Sequence, residues 1–110
     1  MTKTVRIINA TPHDVNIVDE SGTIICIFLK TDMCIRLSAR VEHIGEIDGI
    51  PISQTVFGEP EGLPDYEFGT YYIVSQLVKS ALPQRKDLLV PAEVVRDSNN
   101  QIIGCKSLGI

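Results

Sequence analysis

The period of apolar and polar positions along this chain changes once. From Tyr71 to Val74 the residues are β-branched and aromatic, the composition of a buried strand, whereas Leu77, Val78, Ala81 and Leu82 recur at the spacing that lines one side of a helix. Ser75 stands between the two as an N-cap whose hydroxyl accepts from a free backbone N–H, and Pro83 stops the helix. The pattern predicts a strand running directly into a helix of about two turns, covering one end of a β core.

The rest reads as strands and turns. Val5, Ile7 and Ile8 form a first strand that ends in the turn formers Asn9 to Asp14, and Val15 to Val18 form a second. Asp19-Glu20-Ser21-Gly22 reads as a hairpin turn leading to a third strand, Thr23 to Phe28, apolar on both faces and therefore expected to be central or covered. Met33, Ile35, Leu37, Ala39 and Val41 alternate with Cys34, Arg36, Ser38, Arg40 and Glu42. This predicts one strand with Arg36 and Arg40 on the same face, about 13 Å apart. Asp48-Gly49 marks a hairpin turn, with Pro51 keeping its own strand from a central position. Residues 58–69 are acidic and irregular, pinned by Leu63, Tyr66 and Phe68 or ordered by a partner. Leu88 to Val90 reads as a short strand ended by Pro91, and Glu93 to Arg96 and Gln101 to Lys106 as a closing hairpin.

These elements predict a single domain over residues 1–110 of a mainly β, α+β class: a small antiparallel barrel-like or sandwich sheet with one short helix. Strand edges in such a fold need closure or a second copy, so a homo-oligomer is expected.

A net charge of −4 counts against binding a nucleic-acid polymer, which requires basic surface. No apolar run approaches the ~20 residues that span a bilayer, and Met1 to Arg6 lacks a signal-peptide core; a cytoplasmic protein of a bacterial host cell, off the membrane, is the expectation. Cys26, Cys34 and Cys105 are odd in number and lack CxxC spacing, so they read as reduced and mostly buried.

Candidate chemistry is sparse. His13 follows Thr11-Pro12 in a turn, where it is a general base, a metal ligand, a phosphate donor or a loop-fixing side chain. The two histidines have no metal-ligand spacing, so no metal and no cofactor is expected. Ser75 lacks the flanking glycines of a nucleophile elbow, and Cys105 would need a cation such as Lys106 or His13 to become a thiolate. Glu46, Asp48, Glu59 and Glu61 cluster in sequence as turn and surface carboxylates, or as an acid/base or Mg²⁺ set. Arg36, Arg40, Arg85 and Arg96 remain as anion-binding groups beside the Thr11 to His13 loop.

Several stretches occur together: Asn9 to Val18, Gly45 to Ile52, Tyr72 to Arg85, Asp87 to Pro91, and Val95-Arg96-Asp97 with Ile103-Gly104-Cys105. In these the chain resembles a family of small phage, prophage and bacterial proteins. The resemblance implies a phage-type accessory protein, a class often used in anti-defence by sequestering nucleotide signals. The expected function is a non-enzymatic binder of a small anionic, nucleotide-like ligand through Thr11, His13, Arg36, Arg40, Arg85 and Arg96. A protein-interaction module acting through acidic residues 58–69 is the alternative, and a small hydrolase pairing His13 with Glu46 or Asp48 a third.

Overall fold

The computed structural model describes residues 5–33 and 35–110. Met1 to Thr4 and Cys34 lie outside the described residues, and with them the expectations for the N-terminal entry and for a buried Cys34. The elements in chain order are β1 (Arg6–Asn9), β2 (Val15–Val18), β3 (Ile24–Phe28), β4 (Ala39–Ile47), β5 (Ile50–Phe57), β6 (Thr70–Ile73), α1 (Gln76–Ala81), β7 (Leu88–Arg96) and β8 (Ile102–Gly109).

Among the described residues six strands form one sheet in the order β1-β6-β7-β8-β2-β3, while β4 and β5 pair only with each other. The class is the mainly β, α+β one expected, with a mixed ladder. β1–β6, β6–β7 and β8–β2 are parallel, while β7–β8 and β2–β3 are antiparallel. The parallel joins arise because β1 and β2 are consecutive in the chain yet separated by three strands in the sheet.

Two apolar clusters sandwich this sheet. Side chains alternate across a strand, so Tyr72 and Val74 enter one cluster and Ile73 the other. The inner cluster, centred on Val15, Ile73 and Cys105, draws Ile7, Phe28, Leu89 and Leu108 from across the sheet, so all six strands contribute to it. The sheet is therefore curled around its own core. At the seam the Asn9 side chain donates to Phe28 O at 2.8 Å, tying the end of β1 to the end of β3. The outer cluster of Ala10, Tyr72, Val74, Val78 and Leu88 is roofed by α1, by Met33 and Ile35, and by Leu63. Ser75 Oγ accepts from Val78 N at 3.3 Å, so the N-cap read from the sequence sits where β6 hands over to α1. Leu77 of the expected apolar stripe is 55% exposed, and Val78 alone of the helix is fully buried.

Four expectations are corrected. Met33 to Glu42 is not one strand: β4 begins at Ala39, and Arg36 N and O each bond Glu61 at 2.8 Å, so Arg36 and Arg40 lie in different pairings. Alternation there reflects Met33 and Ile35 packing on the outer core, while Val41 is in solvent. The run Thr23 to Phe28 yields the end strand β3 rather than a central one, with Ile24, Ile25 and Ile27 exposed. Pro91 does not end β7, because β6 stops at the Ile73–Leu89 pair; beyond it β7 has a neighbour on one side only, where proline removes no ladder bond. Cys26 is exposed rather than buried, because it rides on that end strand.

The β4–β5 hairpin projects as an arm. It turns at Asp48-Gly49, as the sequence indicated, with both residues at positive φ. It carries the radius of gyration to 17.4 Å, against about 13 Å for a compact chain of this length.

Candidate functional site

The loop from β1 to β2 is built on Asn9, which is buried at the seam. Its Oδ1 accepts from Thr11 N at 2.9 Å, and its Nδ2 donates to His13 O and Phe28 O, both at 2.8 Å. The Thr11 hydroxyl lies 2.6 Å from Asn9 Oδ1 and 2.8 Å from His13 O, so its single proton is spent inside the loop. Thr31 Oγ1 donates to Asn9 O at 2.9 Å and fastens the following segment to the same residue. Folding the backbone back around one amide in this way leaves Pro12 and His13 outside, with the His13 ring exposed and Nδ1 3.4 Å from Asp14 O.

His13 stands at the rim of a cleft of about 400 Å³ between β2, β7 and β8. Its floor is Val15 and Cys105 of the inner core, its walls include Val94, Ile102 and Ile103, and its rim carries Asp14 and Asn16. The rim is held in place from below: Lys30 N donates to Asp14 Oδ1 at 2.8 Å and Asn16 Nδ2 donates to Ile103 O at 3.3 Å. Burial pushes the Cys105 thiol above its ordinary pKa, and its Sγ lies 3.6 Å from Asn16 O, so this sulfur is an apolar floor group with a weak hydrogen bond rather than a thiolate. Gly104 lets β2 approach: a Cβ there would fall 2.9 Å from Asn16 O and 2.8 Å from Val18 Cγ1.

Arg96 is not among the residues that line this cleft. It lies two residues beyond Val94 on β7 and pairs with Ile102, and its Nη1 donates to Asn100 O at 3.0 Å in the β7–β8 turn. The remaining cations point to different places. Arg40 sits on the arm in an exposed ion pair with Glu42 at 2.7 Å, Arg36 is exposed beside Glu61, and Arg85 is half-buried and bound to Asp87. The six residues therefore do not converge: His13 alone lines the cleft, Arg96 is bound in the β7–β8 turn, Thr11 and Arg85 brace loops, and Arg36 and Arg40 belong to the base and shaft of the arm.

The fold separates the remaining candidate groups as well. Glu46 and Asp48 are at the tip of the arm, Glu59 and Glu61 are at its base, and among the described residues no three His, Cys, Asp or Glu side chains gather as a metal site. No helix among them is long and apolar enough to cross a membrane.

No family model, no curated protein and no solved structure matches this chain. The site is thus read from its own chemistry. It is a concavity with an apolar floor and walls, and its rim carries the His13 imidazole and the Asp14 carboxylate. Sequence reasoning missed Asn9, treated as one turn former among several, and the wall residues Val94, Ile102 and Ile103. An asparagine two residues before a threonine is a local hydrogen-bond signal, whereas the walls meet only through the sheet order.

Proposed function

We propose that this protein is a non-enzymatic binding protein that, as a homo-oligomer, sequesters a small anionic ligand of the nucleotide class. The observation that supports the reading is the cleft on the inner core, with His13 at its rim; Arg96 pairs on the ladder with the wall residue Ile102 and would have to leave Asn100 O to reach a ligand there. An aromatic base would lie on Val94, Ile102 and Ile103, and a phosphate would take hydrogen bonds from His13 and Arg96. Arg36 or Arg40 would reach the ligand only from another copy, because the fold sends them to the arm. The resemblance to small phage and prophage proteins supports reading the molecule as an accessory protein that would withdraw a nucleotide immune signal in the host cytoplasm.

Calorimetry with a panel of linear and cyclic nucleotides tests it. Micromolar or tighter binding of at least one member is expected, with the ligand recovered unchanged after denaturation and affinity falling at least tenfold in both His13→Ala and Arg96→Gln. Absence of binding across the panel, or conversion of the ligand, overturns it.

A second reading is favoured by one observation. Tyr66 and Phe68 are 58% and 71% exposed on acidic residues 58–69, whose backbone is anchored through Leu63, Glu61 and the Arg85 bond to Pro64 O. A segment held at several points that still displays aromatic rings suits docking on a basic host protein. Replacing residues 65–68 with Gly and Ser abolishes capture of such a protein on this reading and leaves nucleotide binding intact on the first.

A further inference from the structure

We propose that a second cavity, at the N-terminal ends of β1, β6 and β7, binds a flat aromatic anion, either a one- or two-ring carboxylate or a nucleoside monophosphate. The three strands are neighbours and run parallel, with Arg6 beside Thr70 and Tyr72 beside Leu88, so their entries lie side by side. Val5 and Lys86 at two of these entries, with Tyr71 in β6, line a cavity of about 320 Å³. Tyr66 and Phe68 line it from the segment that leads into β6. That segment is held in place: Arg85 Nη2 donates to Pro64 O at 3.1 Å, Thr70 N to Glu67 O at 3.1 Å and Arg6 N to Gly69 O at 2.8 Å. The cavity shares no lining residue with the His13 cleft, so the site goes beyond the function proposed above.

Rings and charge set the class of ligand. Half of the Phe and Tyr residues of the chain, Tyr66, Phe68 and Tyr71, line this one cavity, and Tyr66 and Phe68 are 58% and 71% exposed. Rings gathered around an open hollow offer their faces and edges to a flat guest. The uncompensated charge on the wall is positive. Asp87 also lines the cavity, but it is 1% exposed and both of its carboxylate oxygens are taken by Arg85. Lys86 is exposed and has no hydrogen-bond or ion-pair partner among the described residues, while Asp65 and Glu67 are not part of the lining. Aromatic faces alone would attract a cation; with this ammonium beside them, an anion gains an ion pair and a cation meets repulsion. The volume is at the small end of the roughly 300 to 1,000 Å³ of ligand cavities, which suits one or two rings rather than a dinucleotide.

Proton NMR titration of the full chain with naphthoate, with adenosine monophosphate and, as a cation of matching shape, with naphthylmethylamine tests the assignment. The tyrosines report the place: Tyr66 and Tyr71 line the cavity, whereas Tyr72 is buried in the outer core. At least one of the two anions is expected to bind at millimolar concentration or below, shifting the ring signals of Tyr66 and Tyr71 more than those of Tyr72, with the amine at least tenfold weaker. Lys86→Gln should weaken the anion about tenfold, and Phe68→Ala at least as much. Naphthoate binding without the nucleotide narrows the ligand to aromatic carboxylates, and the converse narrows it to nucleoside monophosphates. Binding of neither anion, an amine that binds as well as the anions, shifts that spare Tyr66 and Tyr71, or a Lys86→Gln variant with unchanged affinity overturns the site and leaves the reading of the His13 cleft standing. If Phe68→Ala fails to fold by circular dichroism, the comparison of anion with amine, which needs no substitution, decides.

Discussion

Arg85 grips Asp87 through two parallel hydrogen bonds, Nε to Oδ1 at 2.8 Å and Nη2 to Oδ2 at 2.7 Å, and reaches Pro64 O with Nη2 at 3.1 Å. Asp87 is 1% exposed at the entry to β7, so the pair fixes residues 58–69 to the sheet. The Arg85 hydrogen bonds hold the Asp87 carboxyl below its ordinary pKa of 3.8. A depressed carboxylate contributes stability that is complete above the unfolded-state value and is lost as pH falls through the folded one. Asp87→Asn should therefore lower the unfolding free energy at neutral pH by roughly 2 to 4 kcal/mol and flatten its decline below about pH 4. Urea titrations from neutral to acid pH measure both. An acid limb as steep as the wild type's would show that the pair is energetically idle.

Asn9→Asp should be more damaging than its size suggests. The amide nitrogen faces two carbonyl oxygens, His13 O and Phe28 O, and a carboxylate has no hydrogen to offer either. We expect a loss of about 3 kcal/mol or more, together with weakened nucleotide binding, because the loop that presents His13 loses its anchor. Chemical denaturation and calorimetry on the same variant read the two effects.

Gly104→Ala forces a methyl group against Asn16 O and Val18 Cγ1, and backbone on a neighbouring strand yields little. A loss of about 1 to 3 kcal/mol is expected. Gly109→Ala is the control, since the added carbon meets ordinary contacts at 3.5 Å or more; equal destabilisation by both would contradict the close approach of β2 to β8.

In a Cys34→Ser background, a thiol reagent should modify one cysteine per folded chain at neutral pH. Cys26 is exposed, whereas Cys105 is 2% exposed with its thiol pushed up by burial. The second equivalent should appear only on unfolding, and rapid reaction of both would place Cys105 in solvent.

Local chemistry was the legible part of this chain. Ser75, Asp48-Gly49 and Asp97 to Asn100 act through neighbours within a few residues, and each turn or cap stands where the sequence put it. Strand order was not legible, because it depends on which distant segments share a core: Thr23 to Phe28 has the composition of a central strand and lies at the end of the sheet. The cleft suffered for the same reason. His13 could be singled out as an accessible imidazole, but its neighbours Val94, Ile102 and Ile103 reach it only through the parallel join of β2 to β8. The arginines had charge without direction, and a guanidinium committed to Asp87 looks the same in sequence as a free one.

That parallel join also sets a timetable for synthesis. Ile17 waits for Cys105 and Arg6 for Thr70, while β2–β3, β4–β5 and β7–β8 can each zip as local hairpins. Loop closure over such separations is slow, so the emerging polypeptide carries ready hairpins and an unsealed N-terminal segment until β8 has left the ribosome. The β2–β8 join at Ile17 and Cys105 is then the last stitch, and a nascent chain stalled before Ile102 should leave β2 with β3 as its one strand neighbour.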